Sequence, residues 1–379
     1  MSAVVTAGGA WLVTGGAGFI GGNFVRRLSR ETTAPIVVLD ALTYAGNASS
    51  IADVLARPRV ALVKGDVCDA ALLDALFARH DFTRVVHLAA ESHVDRSIVG
   101  PQPFLRTNVD GTFQLLEAAR RHWTTPNGPL AGRRLLHVST DEVFGDLAPN
   151  APPFTEASPY APSSPYAASK ASADLLVRAW HRTYGVPVLI SNCSNNYGPW
   201  QFPEKLIPLT ILNALEGREL PVYGDGRQRR DWLHVEDHCA ALLAIVERGR
   251  VGETYVVGGG DERENIDVVR AVCRAVDEAC GGGRAAEGGE SAARIRHVAD
   301  RAGHDRRYAI DATKIRRELG WAPRHSIDEA LPALVRWYVE HRDWCDAVRS
   351  GEYRRFYDEY YAARLGGNVT APGRSPAPR

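Results

Sequence analysis

The sequence predicts an α/β protein, built on a doubly wound parallel sheet with a smaller C-terminal α/β domain. Three observations carry that prediction. From Ala10 onward, short apolar β-type runs alternate with helical patterns, and only a few residues join each pair. A glycine-rich turn, Gly15-Gly16-Ala17-Gly18-Phe19-Ile20-Gly21, follows the first run and opens a helix, which argues for an open sheet over a barrel. Finally, the stretch Leu135 to Gly145 ends a later run in Ser139-Thr140-Asp141-Glu142. The end of a strand is where an open α/β sheet holds its ligand.

At 379 residues the chain is long for one core, so two domains with a cleft between them are expected. Basic and acidic side chains balance at 45 each, which leaves no electrostatic footprint for nucleic acid or an anionic membrane. The six cysteines stand without a CxxC pair, so neither a metal site nor a disulfide framework is expected. A reduced, cytoplasmic protein is the expectation, with no signal segment and no apolar run of the ~20 residues a membrane span needs.

Taken in order, Ala10 to Thr14 reads as a buried strand, and the spacing of Phe24, Val25 and Leu28 as the helix that follows the turn. Gly15 permits the tight turn, Gly18 lets backbone approach a pyrophosphate, and Gly21 lets the helix pack on the strand. Helix-terminal N–H groups then point at the phosphates. A second strand, Ile36 to Leu39, ends at Asp40, 19 positions after Gly21. A carboxylate there accepts ribose hydroxyls and repels a 2′-phosphate, which favours NAD over NADP; the plainer alternative is a strand-end turn residue. Val60 to Val63 is a third strand, and Asp66 and Val67 after it either touch an adenine or form an ordinary turn.

A fourth strand, Val85 to Ala90, ends in small residues that let a cofactor lie close. His87 and His93 lack a matched ligand set and read as structural. An apolar stripe from Phe104 to Ala119 predicts a helix over 103–122, and Thr124 to Gly132 reads as a surface loop. In the strand that ends at Ser139-Thr140, simple alternation sends Asp141 and Glu142 to opposite sides, so one could donate a proton and the other accept one. Ser164 reads as an N-cap, Pro165 as the first helical residue and Gly185 as the stop, giving a helix over 165–184. Tyr166 and Lys170 share one face of it. An ammonium at that spacing can stabilise a tyrosinate and bring a phenol pKa of about 10 toward neutrality.

In the second half, Pro187 to Ser191 reads as a strand and Asn192 to Trp200 as a polar, aromatic loop. Leu206 to Leu215 is a helix, Leu220 to Gly226 a strand and turn, and Arg227, Arg229 and Arg230 a local positive cluster suited to a diphosphate. Glu236 to Glu247 reads as a helix, Glu253 to Val257 as a strand returning to the first domain, and 267–279 and 327–338 as further helices. A Gly/Ala/Glu-rich insertion over 281–293 and a disordered tail over 366–379 complete the reading.

With these residues in view, the chain resembles the extended short-chain dehydrogenase/reductases, and among them the dTDP-glucose 4,6-dehydratase family. The resemblance rests on the glycine loop, Asp40 to Asn47, His87 to Ile98, Ser139 to Glu142, Tyr166 with Lys170, Ser191 to Leu209, Arg230-Asp231-Trp232 and Gly303 to Tyr308, in that order, over residues about 10 to 340. It implies a Rossmann-like NAD-binding domain over 1–190, with 230–258 returning to it, and a sugar-nucleotide domain over 191–229 and 259–365. It implies that Tyr166, assisted by Thr140 and Lys170, takes the proton of the sugar 4-hydroxyl while C4 hydride passes to NAD. Glu142 then removes the C5 proton, Asp141 protonates the departing C6 hydroxyl, and the hydride returns to C6.

By the same resemblance the cofactor meets Gly15, Gly18, Phe19, Ile20, Gly21, Asp40, Thr43, Asp66, Val67, Leu88, Ala89, Ala90, Ser92, Thr107, Tyr166 and Lys170. The nucleotide sugar meets Ser92, Thr140, Asn195, Asn196, Lys205, Leu206, Arg230, Asn265, Arg301, His304 and Tyr308. Ala41, Phe144, Ala302 and Trp200-Gln201 depart from the family's usual residues, and the last pair borders the substrate segment. The helices over 103–122 and 165–184 carry more apolar surface than one sheet can cover, so a homodimer joined by a four-helix bundle is expected. The competing readings are a UDP-sugar dehydratase or 4-epimerase of the same superfamily, and a catalytically silent NAD-binding regulator. An epimerase has no use for Asp141 and Glu142.

Overall fold

A computed structural model describes residues 9–126, 128–281 and 291–349. Most of the insertion expected over 281–293, and all of the tail over 366–379, lies outside the described residues. Seven parallel strands form the main sheet, in the order Thr254–Val257, Val188–Cys193, Arg134–Thr140, Phe82–His87, Ala10–Thr14, Ile36–Asp40, Val60–Lys64. The two-residue period divides each strand between two cores. Trp11, Val13, Ile36 and Val38 face one side with Phe24, Leu28, Leu242 and Ile245. Leu12, Val37 and Leu39 face the other with Leu73, Phe77, Leu115 and Val177. Because both faces are covered, these strands read as continuous apolar runs in place of an alternating pattern.

The helices Phe19–Glu31 and Val235–Arg248 cover the first face, and Ala70–Arg79, Gly111–Trp123 and Pro165–Tyr184 the second. Strand order reverses between Ala10–Thr14 and Phe82–His87, which opens a crevice at the carboxyl ends of the strands. A second lobe closes over that crevice. Its core joins the helices Leu206–Leu215, Asn265–Ala279 and Ile327–Glu340 beneath the paired strands Leu220–Tyr223 and Ile295–Val298. Among the described residues, no helix is long and apolar enough to cross a membrane.

Several elements differ from the sequence reading, each for a local reason. The strand before the acidic pair stops at Thr140, and Asp141–Phe144 is a 3₁₀ turn capped by Thr140 Oγ1, which accepts from the Glu142 N–H at 3.3 Å. Strand alternation therefore does not extend to Asp141 and Glu142. The helix expected over 103–122 begins at Gln102 and contains a π-helical stretch, Leu105–Asp110, before continuing as Gly111–Trp123. Asn108 lies within that stretch and is tied sideways: its amide donates to Glu91 O at 3.0 Å and Ser169 Oγ at 2.8 Å, and its Oδ1 accepts from the Glu91 N–H at 2.9 Å. The loop expected over 124–132 carries a small hairpin, Thr124–Thr125 with Gly128–Pro129. Asn192 belongs to a strand, and Asn195–Tyr197 pairs with Arg229–His234 where a loop was expected.

Candidate active site

The glycine turn is shaped by contacts that exclude a side chain. Gly15 has φ +69°, and a Cβ there would stand 2.5 Å from Ala89 N; one on Gly21 would stand 2.1 Å from Gly15 O. Gly18 caps the helix Phe19–Glu31, whose first N–H groups open toward the crevice. Asp40 is buried at the end of its strand, with Oδ2 accepting from Ala17 N–H at 2.9 Å and Oδ1 from Leu42 N–H at 2.8 Å. Burial raises its pKa, and the two backbone donors oppose the rise.

The crevice is a cavity of about 460 Å³, and every catalytic, cofactor and substrate residue that the family resemblance implies lies on its wall. From the first lobe come Gly15, Gly18, Phe19, Ile20, Gly21, Asp40, Thr43, Asp66, Val67, Leu88, Ala89, Ala90, Ser92, Thr107, Thr140, Asp141, Glu142, Tyr166 and Lys170. Asn195, Asn196, Lys205, Leu206, Arg230, Asn265, Arg301, His304 and Tyr308 complete the wall. Asp141 Oδ2, Asn195 Oδ1 and Asn265 Oδ1 are buried without a hydrogen-bond partner, which suits a wall that meets a polar ligand.

The two adjacent carboxyls are held in different electrostatic settings. Burial lifts Asp141 well above the carboxylate range, the Glu142 and Asp231 charges lift it further, and Arg230 and the Thr140 hydroxyl, 3.4 Å from Oδ1, oppose. Burial raises Glu142 as well, but Arg301, Lys205 and Arg230 all pull it back. Both carboxyls are thus raised, Asp141 the more strongly, and the three cations act mainly on Glu142, an asymmetry that suits an acid beside a base.

The Tyr166 phenol and the Lys170 ammonium are both buried on the cavity wall. Burial, then Glu142 and Cys193, push the phenol well above its ordinary value, and a hydrogen bond with Thr140 pulls it down. Lys170 directs its ammonium to Val138 O at 2.9 Å and stands 3.5 Å from His137 Nε2. The basic clusters also divide. Arg230 is buried on the wall with its guanidinium 4.2 Å from the Tyr308 ring centre, whereas Arg229 and Arg307 turn to Glu262, and Arg306 to Asp225. Arg227 and Arg229 do not reach the cavity.

Trp200 likewise turns away, into a cluster with Trp337, His341 and Trp344, while Gln201 lies on the wall. His87 is buried between Thr14 and Thr112 hydroxyls, a structural setting. His93 caps the helix Val94–Val99 and also reaches the wall, its pKa held well below the ordinary value by burial and neighbouring cations. Pro221, Tyr223 and Glu204 line the cavity and were missed. Two-residue alternation across Leu220-Pro221-Val222-Tyr223 could have flagged the first two, since Pro221 and Tyr223 share one face. Glu204 is buried beside His93 and Tyr44, and burial lifts its carboxyl to about 7.

Residues 12–334 match the family model for GDP-mannose 4,6 dehydratase. A dTDP-glucose 4,6-dehydratase of Shigella flexneri is 52% identical over 362 residues, covering 93% of this chain and 99% of that protein. One of Neisseria meningitidis serogroup B is 54% identical over 348 residues, covering 90% and 97%. Among solved structures, a dTDP-glucose 4,6-dehydratase of Streptomyces venezuelae with NAD bound superposes with a TM-score of 0.81 at 46% identity, covering 89% of this chain and 99% of that one. A UDP-glucose 4-epimerase of Thermotoga maritima with UDP-glucose reaches 0.76 at 26% identity, covering 87% and 99%. With its fold, its glycine turn and its acidic pair all on one cavity, the chain belongs to the GDP-mannose 4,6 dehydratase family and groups there with the dTDP-glucose 4,6-dehydratases.

Proposed function

We propose that this chain is an NAD-dependent hydro-lyase that converts dTDP-glucose to its 4-keto-6-deoxy sugar. The observation that carries the reading is the convergence of Asp141, Glu142, Thr140, Tyr166 and Lys170 on one cavity wall with the glycine turn. The turn fits a dinucleotide: Gly15 and Gly21 leave no room for a Cβ, and the Asp40 carboxylate stands at the second strand end. When bound there, NAD supplies an acceptor for the C4 hydride and a donor of it to C6, and its cationic ring would lower the Tyr166 phenol.

The chain's own residues perform the proton transfers. Tyr166, hydrogen-bonded to Thr140, takes the proton of the 4-hydroxyl. Oxidation at C4 acidifies C5–H, and Glu142, drawn toward ionisation by Arg301, Lys205 and Arg230, removes that proton. Asp141, held protonated, gives its proton to the C6 hydroxyl so that it leaves as water. Glu142 then returns its proton to C5. Arg230, Arg301 and Lys205 are the cations suited to the diphosphate, and Asn195, Asn196, Leu206, Asn265, His304 and Tyr308 suit the rest of the nucleotide sugar. Ser92 and Thr107 stand on the same wall and suit the cofactor's polar edge.

The same reading assigns 1–190 with 230–258 to NAD, and 191–229 with 259–365 to the sugar nucleotide. A cytoplasmic setting is in keeping with six free cysteines. The homodimer joined by a four-helix bundle is supported by exposed apolar side chains, Val99, Leu105, Phe113, Leu175 and Tyr184, on or beside the two long helices. Incubation with dTDP-glucose and with UDP-glucose tests the substrate. A 4-keto-6-deoxy product from dTDP-glucose is expected, and an epimerised sugar or no product would contradict the reading.

A further inference from the structure

Behind the wall that carries Tyr166 lies a buried carboxylate that the reaction does not touch. One helical turn beyond Lys170, Asp174 has no exposed surface. Its Oδ1 lies 3.2 Å from His137 Nε2, the same nitrogen that stands 3.5 Å from Lys170 Nζ. Its Oδ2 accepts from the Tyr160 hydroxyl at 2.7 Å and from Asn192 Nδ2 at 3.0 Å, and Asn192 also donates to Thr140 O at 3.1 Å. Asp174, His137, Tyr160 and Asn192 are all absent from the cavity wall. A carboxylate with this burial and these donors is built to stay charged, which is expensive unless a cation shares the site.

We propose that Asp174 is a positioning residue, the buried counter-ion that keeps the Lys170 ammonium charged behind Tyr166, with His137 as the neutral spacer between them. The proposal rests on the reading of Tyr166 and Lys170 as the alcohol-activating pair. The groups that bear on Lys170 are Asp174 on its own helix, His137 on the strand Arg134–Thr140, His87 on Phe82–His87 and Cys193 on Val188–Cys193, while Tyr166, Asp141 and Glu142 line the same cavity with it. Of the three carboxyls, Asp141 and Glu142 are pushed upward, whereas Asp174 is held below the ordinary range by its donors and by His137. Burial draws Lys170 down to about 8, and Asp174 is the largest influence against that. Burial and the Lys170 charge bring His137 to about 4, so the ring stays neutral at working pH.

Asp174→Asn removes the charge and keeps the shape. Its amide oxygen retains the Tyr160 and Asn192 donors. Loss of a buried negative charge lowers the pKa of every group around it, so the pH profile of kcat should move to lower pH, with the alkaline limb moving by about one unit. The test compares the holoenzyme as wild type, D174N and Y160F, with bound NAD and melting temperature measured on each. Y160F removes a hydrogen bond and leaves the charge, so it should lower the melting temperature with no downward move of the limb. A D174N profile in the wild-type position, or equal displacement in both variants, would overturn the proposal. Should D174N not fold, D174N/K170M decides: a folded double variant supports the pairing, and an unfolded one overturns it. A wild type that makes no dehydrated product would sink the dehydratase reading itself, whereas a dehydrating wild type with an unmoved D174N profile sinks only the role of Asp174.

Discussion

In the proposed reaction the neighbouring carboxyls Asp141 and Glu142 do opposite work, and the charges around them differ accordingly. Glu142→Gln should permit C4 oxidation and block elimination, since Tyr166 and Thr140 activate the alcohol without it. NADH absorbance that accumulates on single turnover without dehydrated product is the expected signal, with product formation reduced at least about a hundredfold. The raised Asp141 also sets a stability trend. Folding makes this group bind its proton more tightly, so its favourable share is fully present below its ordinary pKa and is lost as pH rises through the raised one. Asp141→Asn should therefore be inactive yet more resistant to heat than wild type at neutral pH. The gap should widen with pH, by about 1.4 kcal/mol per unit in that window; melting curves at several pH values measure it. Residue position was largely legible where a motif fixed it, as at Tyr166, Lys170 and Asp40, all of which line the cavity. It was less legible for the arginines: sequence shows a basic cluster around Arg230 but not that Glu262 captures Arg229 and Arg307. Glu204 was missed because one buried acid in a loop carries no spacing signal.

Elements with end signals were read to the residue. The helix Pro165–Tyr184 begins after Ser164, whose hydroxyl accepts from the Ala167 N–H, and stops at Gly185 with φ 71°. The 3₁₀ turn Asp141–Phe144 was not foreseen, because an apolar run does not show where its strand stops; the Thr140 cap decides that. The π-helical stretch was hidden for a related reason, as its apolar stripe continues unbroken while Asn108 pulls it sideways. The glycine turn yields a sharp prediction at this scale. Gly21→Ala would drive a Cβ into Gly15 O, so the turn must open, and NAD content of the purified protein should fall below half. Nucleotide released on denaturation, read by absorbance, checks it. The two long helices with their exposed Leu105, Phe113 and Leu175 should bury those side chains against a second copy. Sedimentation at micromolar concentration should return a dimer, and a monomer would contradict that expectation.

For the molecule as a whole, strand order, a crevice at the switch point and a second lobe over it bring the glycine turn, the acidic pair, Tyr166 and Lys170 around one cavity. That layout follows from patterns spread over the whole chain, which is why the sequence alone indicated a two-lobed α/β protein, and why single contacts across the crevice stayed hidden. The central claim is a reaction with no net oxidation, in which the hydride taken from C4 ends at C6 of the same sugar. Such a reaction needs a cofactor that stays in place and a closed wall that keeps water from the unsaturated intermediate. The most direct measurement uses dTDP-glucose carrying deuterium at C4, turned over in the presence of excess unlabelled NADH, with the product's label located by NMR. The account predicts deuterium at C6 with little loss to the pool. Label exchanged into the pool, or retained at C4, would contradict it.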